Sequence, residues 1–434
     1  MSAPDPTRTV PAGRFIEGGP LSLGRRFLPV VALVVGIAPS LTAQSFRLGP
    51  VGGDLMGQAT LVGTTADPMP HDQRVTELRI TQPVLSLGLH ALDGHLQFRG
   101  TLDFEGWTIP EGELTPGAFG EGYVDRRHPH TYVHELMLTA HDLLSPLALP
   151  VHLSAAFGKG FVPFGTDDPM SRPVERFPVN HHLAQILERE VAIAGLAAGP
   201  AAVELSWFNG DEPEYPSEWP NGRRFGDSYA LRGTLRPLAG VEAQLSYAEV
   251  KSPEHRAGAG PTQDKWSASV RFERQVAGNA AYALAEFART TDAGGAFVYD
   301  SWLIESALWL GRGRPYLRLE RTDRPEETRV TDYRTARPHL DNSILGITRW
   351  TVVTVGAEVR ALTLFGRLGV RPFGEASLAN ITAVVGLFDP AAWYGGTTIT
   401  SLSLGVRADW GMEGHRMGHY GTASTAMDME GMHQ

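Results

Sequence analysis

Sulfur and imidazole crowd the last 24 residues of the chain, G-M-E-G-H-R-M-G-H-Y-G-T-A-S-T-A-M-D-M-E-G-M-H-Q. Met412, Met417, Met427, Met429 and Met432 are five of the chain's ten methionines, and His415, His419 and His433 are three of its fifteen histidines. Few other apolar residues accompany them, so a packed core is a poor use for these side chains. Thioether sulfur suits Cu(I), and imidazole accepts Cu(II), Zn or Ni. The stretch 411–434 therefore reads in one of two ways: a disordered extension of biased composition, or a device that captures copper or another soft metal. Nothing elsewhere requires a cofactor.

Two further groups have chemical side chains at close spacing. In R-R-H-P-H-T-Y-V-H, His128 and His130 with Asp125 have the types to hold a divalent ion. His134 falls on the apolar side of an alternating segment and is not expected to join them. A hydrated cluster where a loop enters a strand is the plainer account, for these and for His181–His182. The block F-G-D-S at Phe225–Ser228 offers a hydroxyl nucleophile. Catalysis would need a base and an orienting group, and no companion block follows, so no catalytic residue and no enzyme are expected.

The elements that must carry these groups are strands. In Val241–Lys251, Val241, Ala243, Leu245 and Tyr247 alternate with Glu242, Gln244 and Ser246. Trp266, Ala268, Val270 and Phe272 alternate with Ser267, Ser269, Arg271 and Glu273. In Thr398–Trp410, Leu402, Leu404, Val406, Ala408 and Trp410 alternate with Ser401, Ser403, Gly405, Arg407 and Asp409. A period of two puts one face in oil and the other in water. About sixteen such segments fit between residues 54 and 410, near 54–65, 74–86, 94–107, 131–142, 149–161, 188–198, 201–210, 227–236, 240–251, 264–275, 280–291, 297–310, 314–322, 347–359, 365–378 and 397–410. Arg232, Arg236, Glu242, Arg271, Glu273, Arg318 and Glu320 all fall on polar faces. Tyr132, Trp266, Phe272 and Trp410 end apolar ones.

Connections alternate in length. Long polar stretches run near 109–130, 162–186, 211–226, 252–262 and 323–346, with turns of a few residues between them. The 49 Gly and 31 Pro suit many strands joined by turns. With no cysteine there are no disulfides and no thiolate metal sites. Arg25 and Arg26 precede an apolar run, Phe27–Ile37, and Ala43 stands at a plausible cleavage point, the layout of a secretory signal over 1–43. Removing its four Arg, one Asp and one Glu leaves 34 basic and 46 acidic residues, a formal charge of −12. No basic tract suggests nucleic acid as partner. No later apolar run reaches about 18 residues, the length a membrane helix needs. A secreted chain without such a helix can still span a membrane as a closed barrel.

Ser403, Gly405, Ala408 and Trp410 match an assembly pattern of polar, any, Gly, any, any, apolar, any, aromatic. With the signal layout and the loop alternation, the chain resembles Gram-negative outer-membrane porin-type barrels over roughly 50–410. The resemblance implies an all-β, transmembrane antiparallel β-barrel of about 16 strands (14–18), over 44–410, with short periplasmic turns and long extracellular loops. It implies a bacterial outer-membrane channel for passive diffusion of small hydrophilic solutes, with membrane lipid and the barrel assembly machinery as partners. A homotrimer is left open, and metal (copper) handling by the tail is the alternative function. It also places the loop after the fifth strand inside the lumen, where Asp167, Asp168, Arg172, Glu175 and Arg176 would set the charge of a constriction. Asn180 would cap a short helix through Leu183, Ile186 and Leu187. The polar-face charges Arg232, Arg236, Glu242, Arg271, Glu273, Arg318 and Glu320 would line the water-filled interior. Such barrels usually end at the terminal aromatic, and this chain runs on for 24 residues, which would be a periplasmic tail.

Overall fold

The computed structural model describes residues 45–69, 73–109, 130–144, 150–213, 215–253, 257–327, 344–364, 368–411 and 415–423. The expected signal segment 1–43 lies outside them. Among the described residues no helix is long and apolar enough to cross a membrane.

Strands make the architecture. A lead strand β1 (Ser45–Leu48) is followed by β2 (Val51–Met69), β3 (Gln73–Ala91), β4 (Leu96–Asp103), β5 (Val133–Ala140) and β6 (His152–Gly160). Next come β7 (Arg189–Ala198), β8 (Ala201–Phe208), β9 (Ser228–Leu238), β10 (Val241–Lys251), β11 (Thr262–Val276) and β12 (Asn279–Asp292). The chain continues with β13 (Phe297–Leu308), β14 (Gly313–Glu327), β15 (Ile344–Val359), β16 (Leu362–Leu364), β17 (Leu368–Gly386) and β18 (Thr398–Trp410).

Neighbours pair antiparallel around a closed ring. The last strand returns to β2 through a register running from Thr400–Asp67 to Trp410–Gly57. Two of the eighteen strands do not widen the ring. β1 pairs only with the first residues of β2, beyond the stretch that β18 covers. β16 carries on from β15 after a break at Arg360–Ala361 and pairs with the start of β17. The ring therefore has sixteen staves, and each expected segment coincides with one of them.

The faces are sorted opposite to a soluble sheet. Along β8, Val203, Leu205 and Trp207 are exposed, while Glu204, Ser206 and Phe208 are buried. Along β18, Leu402 and Leu404 point outward, and Ser401, Ser403, Arg407 and Asp409 are buried. Apolar outside and polar inside is the stable arrangement for a ring in lipid, and closure leaves no unpaired backbone edge there. Aromatics pair across strands on the outer face: Tyr247 packs against Trp266 (ring centroids 4.8 Å apart) and Phe287 against Trp302 (4.6 Å). Trp266, one of the four aromatics expected at the ends of apolar faces, is on the outer face.

Connections at one rim are tight. Ala277 (φ 52°) and Gly278 (φ 78°) make the two-residue hairpin between β11 and β12, with the two positive φ angles that match strand twist. The other rim carries the long stretches 104–132, 161–188, 209–227 and 252–261, although the links after β2 and β12 are short. The long connection expected at 323–346 is smaller, because β14 runs on to Glu327 and β15 starts at Ile344.

Candidate functional site, the barrel lumen

A ring of sixteen strands encloses more space than wall side chains fill, and two chain segments occupy it here. The first is the connection after β6. Almost every residue from Phe161 to Glu188 is buried, although the stretch is nearly all loop. Buried loop backbone needs partners, and the inner wall provides them. Val179 N donates to Glu320 Oε2 (2.7 Å), Gly165 N to Ser246 Oγ (3.2 Å) and Arg176 N to Glu375 Oε2 (3.4 Å). The loop bends sharply at Pro169–Ser171, where Asp168 Oδ1 accepts from Met170 N (2.8 Å). A helix does follow Asn180, over His181–Ala184, one turn rather than the longer run expected. Asn180 does not cap it through its side chain; Nδ2 donates to Glu286 Oε1 instead (2.8 Å).

All five expected constriction charges are inside the ring, and four of the five are engaged by wall charges or by the tail. Arg172 Nη2 donates to Thr166 Oγ1 (2.9 Å) and lies 3.5 Å from Glu286, with Nη1 3.6 Å from Glu305. Glu175 Oε1 accepts from Arg407 Nη1 (3.0 Å) on the closing strand. Arg176 donates to Ser401 Oγ (3.3 Å), and its carbonyl accepts from Arg318. Asp167 contacts Arg271. Asp168 is spent on its own turn, with Oδ2 3.8 Å from His181 Nε2. A buried charge without a partner is costly, so this pairing holds the loop in place.

Of the seven expected lumen residues, Arg232, Glu242, Arg271, Arg318 and Glu320 are buried inside the ring. Arg232 Nε donates to Glu204 Oε2 (2.7 Å) and Arg318 Nε to Glu305 Oε1 (2.7 Å). Arg236 sits nearer the tight rim and donates to Glu242 Oε2 (2.9 Å). Glu273 is also near the tight rim, just before the Ala277–Gly278 hairpin, its side chain about half exposed (47%), in contact with Arg271.

The second segment corrects an expectation. Residues 415–423 of the tail are not a periplasmic extension; they fold back inside the ring. Arg416 Nε donates to Asp167 Oδ1 (2.6 Å) and its Nη2 to Glu242 Oε1 (2.8 Å). His419 Nε2 meets Asp167 Oδ1 at 2.8 Å. Tyr420 Oη donates to Glu135 Oε1 (2.6 Å) and accepts from Phe161 N (3.2 Å); Thr422 N donates to Ser154 Oγ (3.0 Å). Met417 is buried in an apolar cluster with Phe161 and Val162. The wall is shaped for this segment. A Cβ at Gly195 would stand 2.5 Å from Thr422 Oγ1, and one at Gly160 would stand 2.5 Å from Tyr420 Oη. Of the expected metal ligands in the tail, His415, Met417 and His419 are thus inside the lumen, while Met412, Met427, Met429, Met432 and His433 lie outside the described residues. Burial pushes His415 down to about 3, helped by Arg99. Burial and Arg416 hold His419 well below the ordinary imidazole value.

His134 is the second correction. It is fully buried on the inner side of β5, beside Glu135, which is buried too. Two consecutive residues can face one way only where the alternation breaks. Here the register shifts: Thr101 pairs with Glu135 but Leu102 with Val133, so His134 is an extra residue in the ladder. His130 and His181 are buried rather than hydrated, and His182 is partly so. Asp125 and His128 lie outside the described residues. Ser228 opens β9, donates to Asp227 Oδ1 (2.7 Å) and accepts from Lys251 N (3.0 Å), a role in holding the strand ends.

Space remains on the far side of the inward loop. A cavity of about 360 Å³ is lined by Arg172, Arg271, Arg274, Arg314, Arg371 and Arg407, against Glu273 and Asp409. Arg314, Arg371 and Arg274 were not singled out from sequence. For Arg314 and Arg371 the signal was their place on the polar face of long alternating strands; Arg274 falls on the side of Phe272, near the end of β11, and alternation gave no sign of it.

No protein-family model matches the chain, and no curated protein matches it. Solved structures do superpose on it. The anion-selective porin from Comamonas acidovorans matches at TM-score 0.48 and 12% identity, over 83% of this chain and 100% of its own. OprB of Pseudomonas putida matches at TM-score 0.49 and 11% identity, over 82% and 94%. OmpF of Salmonella typhi, in complex with daunomycin, matches at TM-score 0.47 and 9% identity, over 84% and 100%. The sixteen-stave ring stands on its own strand registers.

Proposed function

We propose that the chain is an outer-membrane channel through which small hydrophilic solutes diffuse passively. One observation carries this: a ring that is apolar outside and charged inside, with a cavity of about 360 Å³ left between the inward loop and the wall. A charged interior has no use as a core, since unpaired buried charge destabilises, whereas water-filled space lined by guanidinium and carboxylate groups conducts ions. The inward loop and the folded-back tail narrow the passage, so its unit conductance is small for a ring of this size.

Reconstitution in planar bilayers tests the proposal. Discrete single-channel steps in KCl are expected, and a purified ring that inserts without conducting would overturn it. Comparing boiled and unboiled samples on a gel reports both barrel closure and any oligomer, including a trimer. The alternative, copper capture by the tail, draws no support from the described residues. Met417 is packed in an apolar cluster and His419 is bonded to Asp167.

A further inference from the structure

We propose that Asp103, His130 and His134 form a binding site for one divalent transition-metal ion of the zinc type inside the barrel, where the inward loop is anchored to the wall. Each of the three offers a ligand atom, the three atoms lie within 4.8 Å of one another, and all three residues are buried. Two imidazoles and a carboxylate are a donor set suited to zinc and its first-row neighbours, which bind nitrogen and oxygen at about 2.0–2.2 Å. Modest side-chain rotation closes the remaining gap.

The surroundings favour a ligand role over a merely structural one. His134 Nδ1 faces Glu188 Oε1 at 2.9 Å. A carboxylate accepts, so Nδ1 carries the hydrogen and the lone pair of a neutral ring falls on Nε2. That Nε2 is buried without a hydrogen-bond partner. A carboxylate that orients one imidazole nitrogen while the other stays open is the arrangement found around metal-bound histidines. Glu188 is itself fixed by Thr131, whose N and Oγ1 donate to the same oxygen (2.9 and 2.8 Å). Asp103 is divided in the same way. Its Oδ1 accepts from Glu105 N (2.7 Å), and its Oδ2 faces His130 Nδ1 at 3.5 Å. The His130 and His134 rings meet edge to face with centroids 4.8 Å apart, and His181 stands 6.1 Å from His130. Asp103 and Glu105 bring two carboxylates close together in one buried site, where a divalent cation offsets their mutual repulsion; Glu188 already has the Lys159 ammonium nearby.

The register irregularity in β5 now has a use. Without the extra residue His134 would face lipid. With it, the end of β4, the entry to β5 and the base of the inward loop meet at one point, which a single ion can tie together.

Calorimetric titration of the refolded full chain in detergent with zinc chloride, after treatment with a chelator, tests the site. One saturable equivalent is expected. Asp103→Asn and His134→Gln should each weaken it by at least about ten-fold, and His152→Gln, at an exposed histidine paired with Asp142, should leave it unchanged. Binding that survives both Asp103→Asn and His134→Gln, or is lost only on deletion of 411–434, overturns the proposal. So does the absence of saturable binding. If either variant fails to refold, cobalt(II) on the unaltered chain decides. One equivalent giving visible bands that zinc abolishes supports the site, and a featureless titration overturns it.

Discussion

Arg407 shows how much one side chain can hold. It reaches from the closing strand to Glu175 in the inward loop (3.0 Å), to Gln58 Oε1 (3.2 Å) and to the carbonyl of Met170. Removing one partner of a buried pair strands the other charge, at a cost of about 3–5 kcal/mol. Arg407→Met should therefore lower the unfolding free energy measured by urea titration by that much, and Arg407→Met with Glu175→Gln should recover most of it; a loss in the double variant equal to the sum of the two single losses would show that the two are uncoupled. His415 and His419 permit a pH prediction. Both imidazoles are held neutral in the seated tail, so the released tail binds more protons below about pH 6.5. Seating is fully stable above that value and weakens as pH falls toward about 3 for His415. The groups facing the pair are Arg416, Arg232, Arg99, Asp167, Glu242 and Glu204. Single-channel conductance should rise as pH falls from 7 to about 4.5, within the window set by those imidazole values, and chains lacking 411–434 should not respond.

At the scale of elements, the strands were legible because their period of two survives almost everywhere. Each of the sixteen segments read from alternation meets a stave of the ring. Alternation failed at His134, where an inserted residue reverses the face, and one sequence holds no mark of that shift. The inward loop was placed by resemblance, and its charges were named, but their partners were not: Arg172 with Glu286 is a contact across 114 residues, invisible to local reading. The seat of residues 415–423 was missed for a related reason. Met417 and His419 look like ligands when taken alone, and the seat that holds them is built from distant strands. Deletion of 411–434 should raise unit conductance without preventing barrel closure, since the β18–β2 register runs from Thr400 to Trp410 and loses only the single bridge from Gly411 to Gly57. Gly195→Val, which thrusts a side chain at Thr422, should mimic the deletion. If neither changes conductance, the segment does not narrow the passage.

The whole molecule is acidic, yet its open interior is not. The chain carries a formal charge of −10, while six guanidinium groups and two carboxylates line the cavity. A field of that sign inside a low-dielectric ring enriches anions. In a tenfold KCl gradient across a bilayer, the reversal potential should take the sign of chloride preference. Changing both Arg274 and Arg314 to Ala should bring it toward zero. A cation-selective reading would mean that solutes pass elsewhere in the ring.

The seat of the tail also bears on timing. Its contacts join residues 249, 268 and 285 positions apart in the chain (Arg416 to Asp167, Thr422 to Ser154, Tyr420 to Glu135). Each of these contacts awaits residues synthesised after the closing strand β18. The stopper is thus delivered after the vessel. A molecule whose synthesis or insertion halts just past Trp410 would leave the cell a leakier wall than no molecule at all.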